Sequence, residues 1–224
     1  MGEGKVRVLA ISDEVDEGLN NGSIAEMDVD LVVSCGDLPW DYLEYLVTIA
    51  NVPLAYVPGN HDPDPKPEPP ENPLRPGYLN LEVDPPLLGP GGGTPLDGKV
   101  LDHAGLRLAG LGGSLRYSGG PHQYTEAQMR RRALKLEARA RARRMRDGRG
   151  IDLLVSHIPP LGAGDRDDPA HRGSKSLWRL IKVLRPKVLV HGHIHPHGEA
   201  TPDRVVEGTS IVNAVGHRIL EIEP

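Results

Sequence analysis

The sequence predicts an α/β fold built on a largely parallel β-layer. Two observations carry this. Within the first 62 residues, three apolar runs each end in a polar loop: residues 5 to 11 lead into Ser12-Asp13, residues 30 to 34 into Cys35-Gly36-Asp37, and residues 54 to 57 into Gly59-Asn60-His61-Asp62. The rhythm returns later, where residues 151 to 155 lead into Ser156-His157 and residues 187 to 190 into His191-Gly192-His193-Ile194-His195. Strand-to-loop units separated by helical patterns are the mark of βαβ construction.

Each element has its own local warrant. Lys5 to Ile11 alternates and then becomes fully apolar, as a first strand does. Leu43, Leu46, Val47 and Ala50 share one side of a helix over residues 41 to 50. Residues 62 to 76 hold seven prolines, which excludes helix and central strand and predicts a stiff surface loop. Lys99 to Asp102 and Leu106 to Leu111 predict a hairpin. Gly112 to Gly120 is glycine-rich but lacks the Lys-Ser/Thr ending of a phosphate loop. Thr125 and Gln128 have capping-box spacing and open a helix that Gly148 stops after Asp147. Met129, Ala133, Leu136 and Ala140 form its apolar stripe. Arg130, Arg131, Arg132, Lys135, Arg139, Arg143 and Arg146 cover much of the rest, so a basic solvated face is expected. Residues 176 to 184 form a second amphipathic helix, closed by Arg185-Pro186. Thr209 to Asn213 and Arg218 to Ile222 complete the sheet.

Composition narrows the class. The 224 residues fit one domain, 1–224, with no inter-domain linker. There is no Phe, so Leu, Val, Ile and Ala fill the core. A net charge of −5 argues against generic nucleic-acid binding. The single Cys35 excludes an internal disulfide and fits a reducing compartment. The chain passes almost directly into a charged strand, too short a lead for a signal peptide, and no segment is long enough to cross a bilayer. A cytoplasmic protein with no membrane partner is the expectation.

The strand ends collect donor residues. His193 and His195 are two apart in an extended segment and present both imidazoles to one side. Imidazoles near carboxylates are what a transition-metal site requires. Asp13, Asp37, Asn60, His61, Asp62 and His157 occupy the same position at the ends of other strands, on one rim of the sheet.

Ser12-Asp13, Gly36-Asp37, Gly59-Asn60-His61-Asp62, Ser156-His157 and Gly192-His193-Ile194-His195, in that order and spacing, resemble the calcineurin-like metallophosphoesterase superfamily over about residues 5 to 197. The resemblance implies a four-layer αββα sandwich, two mixed β-sheets flanked by helices. It implies two divalent cations, Mn, Fe or Zn, with Asp37 bridging them. Asp13 and His195 would hold the first; Asn60, His157 and His193 would complete the second. It further implies hydrolysis of a small phosphodiester or phosphomonoester by a bridging hydroxide. His61 would protonate the leaving group and Asp62 would orient its ring.

One departure stands out. The superfamily's first motif is usually Asp-x-His, whereas here it reads Asp13-Glu14-Val15, and valine cannot coordinate a metal. The expectation is a functional but weaker first site, filled by water or by Glu14, Asp16 or Glu17. The competing readings are a binding or scaffold module whose turnover has been lost, and a nuclease using the Arg-rich helix. Arg116, Tyr117 and Arg172 lie in loops that could reach the rim, and Arg suits phosphate through its paired hydrogen bonds. His122, His171 and His217 read as exposed or structural. His191 is expected to pack beneath the final motif.

Overall fold

The structure is a computed structural model that describes residues 4–63, 89–196 and 202–224. Most of the proline-rich loop expected at 62–76 therefore lies outside the described residues, as does His197. In chain order the early elements are β1 (Val6–Ser12), a 3-10 turn (Ser23–Glu26), β2 (Leu31–Ser34), α1 (Trp40–Ala50) and β3 (Leu54–Tyr56). Then come β4 (Gly93–Pro95), β5 (Val100–His103), β6 (Leu106–Leu111), β7 (Ser114–Leu115), β8 (Gln123–Tyr124) and α2 (Glu126–Asp147). The last are β9 (Leu153–Ser156), α3 (Lys175–Leu184), β10 (Val188–His191), β11 (Arg204–Val206), β12 (Thr209–Asn213) and β13 (Gly216–Ile222).

Two mixed sheets result. One has strand order β13-β1-β2-β3-β4 and the other β11-β12-β10-β9-β6-β5; β7 and β8 pair by themselves. Strands β1 to β4 run parallel, with β13 antiparallel on the outer side of β1. The second sheet is parallel through β12, β10, β9 and β6, and the expected hairpin β5–β6 pairs antiparallel at its edge.

Side-chain alternation explains the layering. Val8 and Ala10 of β1 face the second sheet, with Val33 and Ala55 beside them and Leu106, Leu108, Val155, Val190 and Val212 opposite. Leu9 and Ile11 point the other way, onto Leu43 and Leu46 of α1. Leu111, Leu154, Leu189 and Ile211 leave the far face of the second sheet to meet Met129 and Leu136 of α2 and Leu177 and Ile181 of α3. Strands covered on both faces need near-continuous apolar sequence, and this is why the runs were so clear. The order is helix, sheet, sheet, helix: the expected four layers. Each fully buried Leu or Ile stabilises the stack by about 1.5–3 kcal/mol.

Capping and charge orient the helices against the sheet. Thr125 accepts from the Gln128 amide at 3.2 Å and Gln128 reaches back to the Thr125 amide at 2.8 Å, completing the capping box. Ser174 caps α3 by accepting from the Ser176 amide at 3.1 Å, and Glu126 of α2 accepts from both serines. The expected solvated basic face of α2 is only partly that. Arg132 pairs with both oxygens of Asp97 at 2.7 Å, Arg139 donates to Gly98 O, and Arg143 pairs with Asp102. These side chains staple the helix to β5 and to the loop before it. Arg107 is buried, and it is held by Asp102 at 2.8 Å and Asp147 at 2.7 Å. Among the described residues no helix is long and apolar enough to cross a membrane.

Candidate metal centre

The carboxyl ends of β1, β2, β3, β9 and β10 meet on one rim. Cross-links between loops fix it: the Asp13 amide donates to Gly36 O at 3.1 Å, the Gly113 amide to Pro58 O at 2.7 Å, and the Gly192 amide to His157 O at 2.9 Å. The chain leaves three strands through a residue in the left-handed region: Asp13 (φ 60°), Asp37 (φ 58°) and His193 (φ 68°). This conformation turns the backbone sharply and is uncommon without glycine, although Asp and His tolerate it better than most. Two glycines allow the loops to touch. A Cβ on Gly59 would fall onto the Asp37 carboxylate, and one on Gly192 onto Ser12 Oγ and Asp13 Oδ2.

Asp13, Asp37, His157 and His193 offer donor atoms that all lie within 4.8 Å of one another. Asn60 joins them, its Oδ1 3.0 Å from His157 Nε2, while Asp37 Oδ2 is 3.3 Å from the same nitrogen. His157 Nδ1 lies 2.8 Å from Cys35 O, an acceptor only, so that nitrogen carries a proton and Nε2 is the atom turned toward the cluster. The backbone supports the carboxylates. Asp13 Oδ2 accepts from Ser12 Oγ at 2.5 Å and from the His193 amide at 2.8 Å, and Asp37 Oδ1 accepts from the His61 amide at 2.8 Å.

Electrostatics couple these groups. Burial alone disfavours charge on Asp37, but its hydrogen bond and ion pair with His157 outweigh this and hold the carboxyl below its usual value. Burial likewise opposes charge on His157, yet Asp37 and Asp13 raise it to about 9. Burial, followed by the charge on His157, lowers His193 to about 3 and so keeps it neutral, the form a ligand needs.

The donor set fits divalent cations. It combines two carboxylates and an amide oxygen with the imidazoles of His157 and His193, each of which is held by a backbone carbonyl. Asp13, Asp37, His157 and His193, with Asn60 beside them, are the residues that could hold a cation.

The remaining expected residues divide. His195 Nε2 is 3.9 Å from Asp13 Oδ1, and its Nδ1 is 2.7 Å from Glu14 Oε1. Of the acids considered as replacements at Val15, Glu14 thus reaches the first site through His195. Asp16 is instead engaged by His217 at 2.5 Å and by the Gly18 amide at 2.7 Å. Val15 itself is exposed. The His61 side chain is exposed at the rim. Asp62 was expected to orient the His61 ring. Its Oδ2 instead accepts from the amides of Gly59 at 2.7 Å and Asp37 at 3.0 Å, tying two loops together. Burial pushes the Asp62 carboxyl up, and those two amides offset it in part. Arg116 is exposed, with its guanidinium 3.5 Å from Gln128 on α2, and Arg172 is also exposed. His191 is buried as expected, and burial lowers it to about 4.

Three contacts were not legible beforehand. Tyr117 Oη accepts from Asn60 Nδ2 at 3.1 Å. Arg166 donates to His195 O at 2.6 Å. Ala170 O lies 2.7 Å from His193 Nε2, and the neighbouring His171 ring stands 5.6 Å from that of His193. The last two come from the polar loop Gly162 to Gly173, which carries Asp165-Arg166 and His171-Arg172.

Comparison with known proteins agrees with this geometry. A family model described as calcineurin-like phosphoesterase matches residues 9–197. The UPF0046 protein T07D4.2 of Caenorhabditis elegans is 43% identical over 56 residues, a stretch that spans 24% of this chain and 14% of the worm protein. One solved crystal structure superposes with a TM-score of 0.61 at 18% identity, covering 97% of this chain and 95% of that one. The crystal structure of TT1561 of Thermus thermophilus superposes at 0.59, also at 18% identity, covering 95% and 90%. At that identity the likeness is one of fold.

Proposed function

We propose, from the premise that this chain belongs to the calcineurin-like phosphoesterase family, that it hydrolyses a small phosphodiester or phosphomonoester with two divalent cations. The observation that carries the reading is the convergence of Asp13, Asp37, His157 and His193 within 4.8 Å, from four separate strand ends. Bound there, the cations would acidify water as the nucleophile and offset charge gathering on the phosphoryl oxygens.

The chain's own residues do the rest. Asp37, whose Oδ2 lies by His157 and whose Oδ1 accepts from the His61 amide, would be the bridging carboxylate. Cys35 O and Ala170 O fix the imidazoles of His157 and His193, so little reorganisation is needed on binding. The exposed His61 ring is the proton donor to the departing oxygen as the P–O bond breaks. Asp62 would keep His61 in place indirectly, by clamping the Gly59 amide of its own loop to the Asp37 amide of the loop after β2. A second reading, a binding module without turnover, is favoured by Val15 alone.

Elemental analysis of the purified protein, paired with aryl phosphodiester and monoester substrates, tests the proposal. Two metals per chain and Mn-stimulated cleavage are expected. Folded protein that binds metal yet turns over neither substrate with any divalent ion would select the binding module.

A further inference from the structure

The segment between β7 and β8 brings a hydroxyl to the donor cluster that none of the family's motifs contains. Tyr117 Oη accepts from Asn60 Nδ2 at 3.1 Å, and Asn60 is itself 2% exposed. The phenol oxygen is therefore spoken for as an acceptor while its own proton has no acceptor among the described residues. The residue is 36% exposed, so a ligand can approach it from solvent.

The tyrosine does not hang on a loose loop. Gln123 is buried on β8, and its Oε1 accepts from three successive amides: Tyr117 at 3.2 Å, Ser118 at 3.0 Å and Gly119 at 3.1 Å. Its Nε2 donates to Ser118 Oγ at 2.9 Å. At the other end of the segment, the Ser114 amide donates to His122 O at 3.0 Å and the Arg116 amide to Tyr124 O at 2.9 Å. A donor held this firmly beside a ligand needs no reordering when an anion arrives. Arg116, the residue whose chemistry first suited a phosphate, turns toward α2, and the next residue faces the cluster instead.

We propose that Tyr117 is a substrate-contacting residue: its hydroxyl accepts from the Asn60 amide and donates to a non-bridging oxygen of the phosphoester. The inference rests on the phosphoesterase reading above. It adds a neutral donor to a site otherwise made of cations and imidazoles. A phenolic hydroxyl can accept one hydrogen bond and donate another at the same time, which is what this contact requires.

The test compares the full-length chain with Tyr117→Phe, which keeps the ring and removes only the hydroxyl. Inorganic phosphate is titrated into each protein at saturating Mn, with Mn affinity and thermal melting measured alongside. The variant is expected to melt as a folded protein and to bind Mn within about threefold of the native chain. Its phosphate affinity should fall about tenfold or more, the loss typical of a hydrogen bond to a charged group. kcat/KM for an aryl phosphodiester should fall in parallel. Equal phosphate affinity in the two proteins overturns the inference and leaves the phosphoesterase reading intact. So does a deficit that follows weakened Mn binding, which would reduce Tyr117 to a prop for Asn60. Failure of both proteins to bind phosphate at saturating Mn overturns the underlying reading, and this inference with it.

Discussion

Gly192→Ala tests the geometry of the rim most directly, because the site leaves no room there for one methyl group. An ideal Cβ at this position overlaps Ser12 Oγ and Asp13 Oδ2. Overpacking of this kind costs about 1–3 kcal/mol. The contact also threatens the bond from the His193 amide to Asp13 Oδ2, now 2.8 Å, and a hydrogen bond to a charged acceptor contributes about 1.5–3 kcal/mol. If the chain yields only partly, about 2–4 kcal/mol of global stability is lost. Asp13 must swing to make space, and disturbing contacts that orient a ligand typically costs about 10–100-fold in metal affinity. Urea denaturation of the metal-free protein reads the first quantity, and calorimetric Mn titration reads the second. Gly150→Ala is the control, since a methyl there meets nothing within 4 Å; its effect should stay within about 0.5 kcal/mol. A Gly192→Ala protein that matches the native chain in both measurements would refute the idea that Ser12, Asp13 and the final histidine loop interlock.

Other outcomes follow from single features. Val15→His restores an imidazole to the first motif, and metal stoichiometry or affinity at the weaker site should rise; unchanged stoichiometry by elemental analysis would mean that Glu14 and His195 already suffice. Hydrogen bonds from Arg107 are the main influence holding the Asp102 and Asp147 carboxyls below their usual value. A depressed carboxyl stabilises the fold above the unfolded value of about 4 and loses that contribution as pH falls below it. Arg107→Met should therefore be less stable at neutral pH but show a flatter decline between about pH 4 and 2 in urea midpoints. An identical acid profile would remove Arg107 from the explanation. Cys35 is fully buried, and burial, with the Asp13 charge adding to it, pushes its thiol well above the ordinary range. A thiol reagent should label it only at the rate of unfolding; rapid labelling of native protein would contradict this.

Elements defined by local chemistry were legible in the sequence. α2 starts and stops where Thr125, Gln128 and Gly148 say it should, because caps act over three or four residues. The doubly covered strands were legible because burial on both faces forbids polar residues. Short strands were not. β4, β7, β8 and β11 are two or three residues each, and their pairing depends on partners far along the chain. The division of strands between two sheets is equally non-local: nothing near Arg218 indicates that β13 returns to β1. At the site, the donor types could be read, but their supporting contacts could not. Asp62 looked like a partner for His61 by adjacency, yet an oxygen two bonds beyond Cβ reaches two backbone amides more easily. Asn60 with Tyr117, and His195 with Arg166, are meetings of loops that only tertiary structure creates. The arginines of α2 looked like one solvated face because sequence does not reveal which carboxylates and carbonyls lie opposite.

The pairing of β13 with β1 has a consequence for biosynthesis. Seven consecutive rungs, Val6↔Ile222 to Ser12↔Gly216, cover one side of β1 with β13, which is synthesised only after every strand of the second sheet. The nascent chain can assemble β1, β2 and β3 early, but it then carries an unpaired hydrogen-bonding ribbon until β13 is made. An open ribbon of that length invites pairing with a neighbouring polypeptide. Asp13 hangs from the end of that ribbon, so the donor cluster should not mature until β13 has docked.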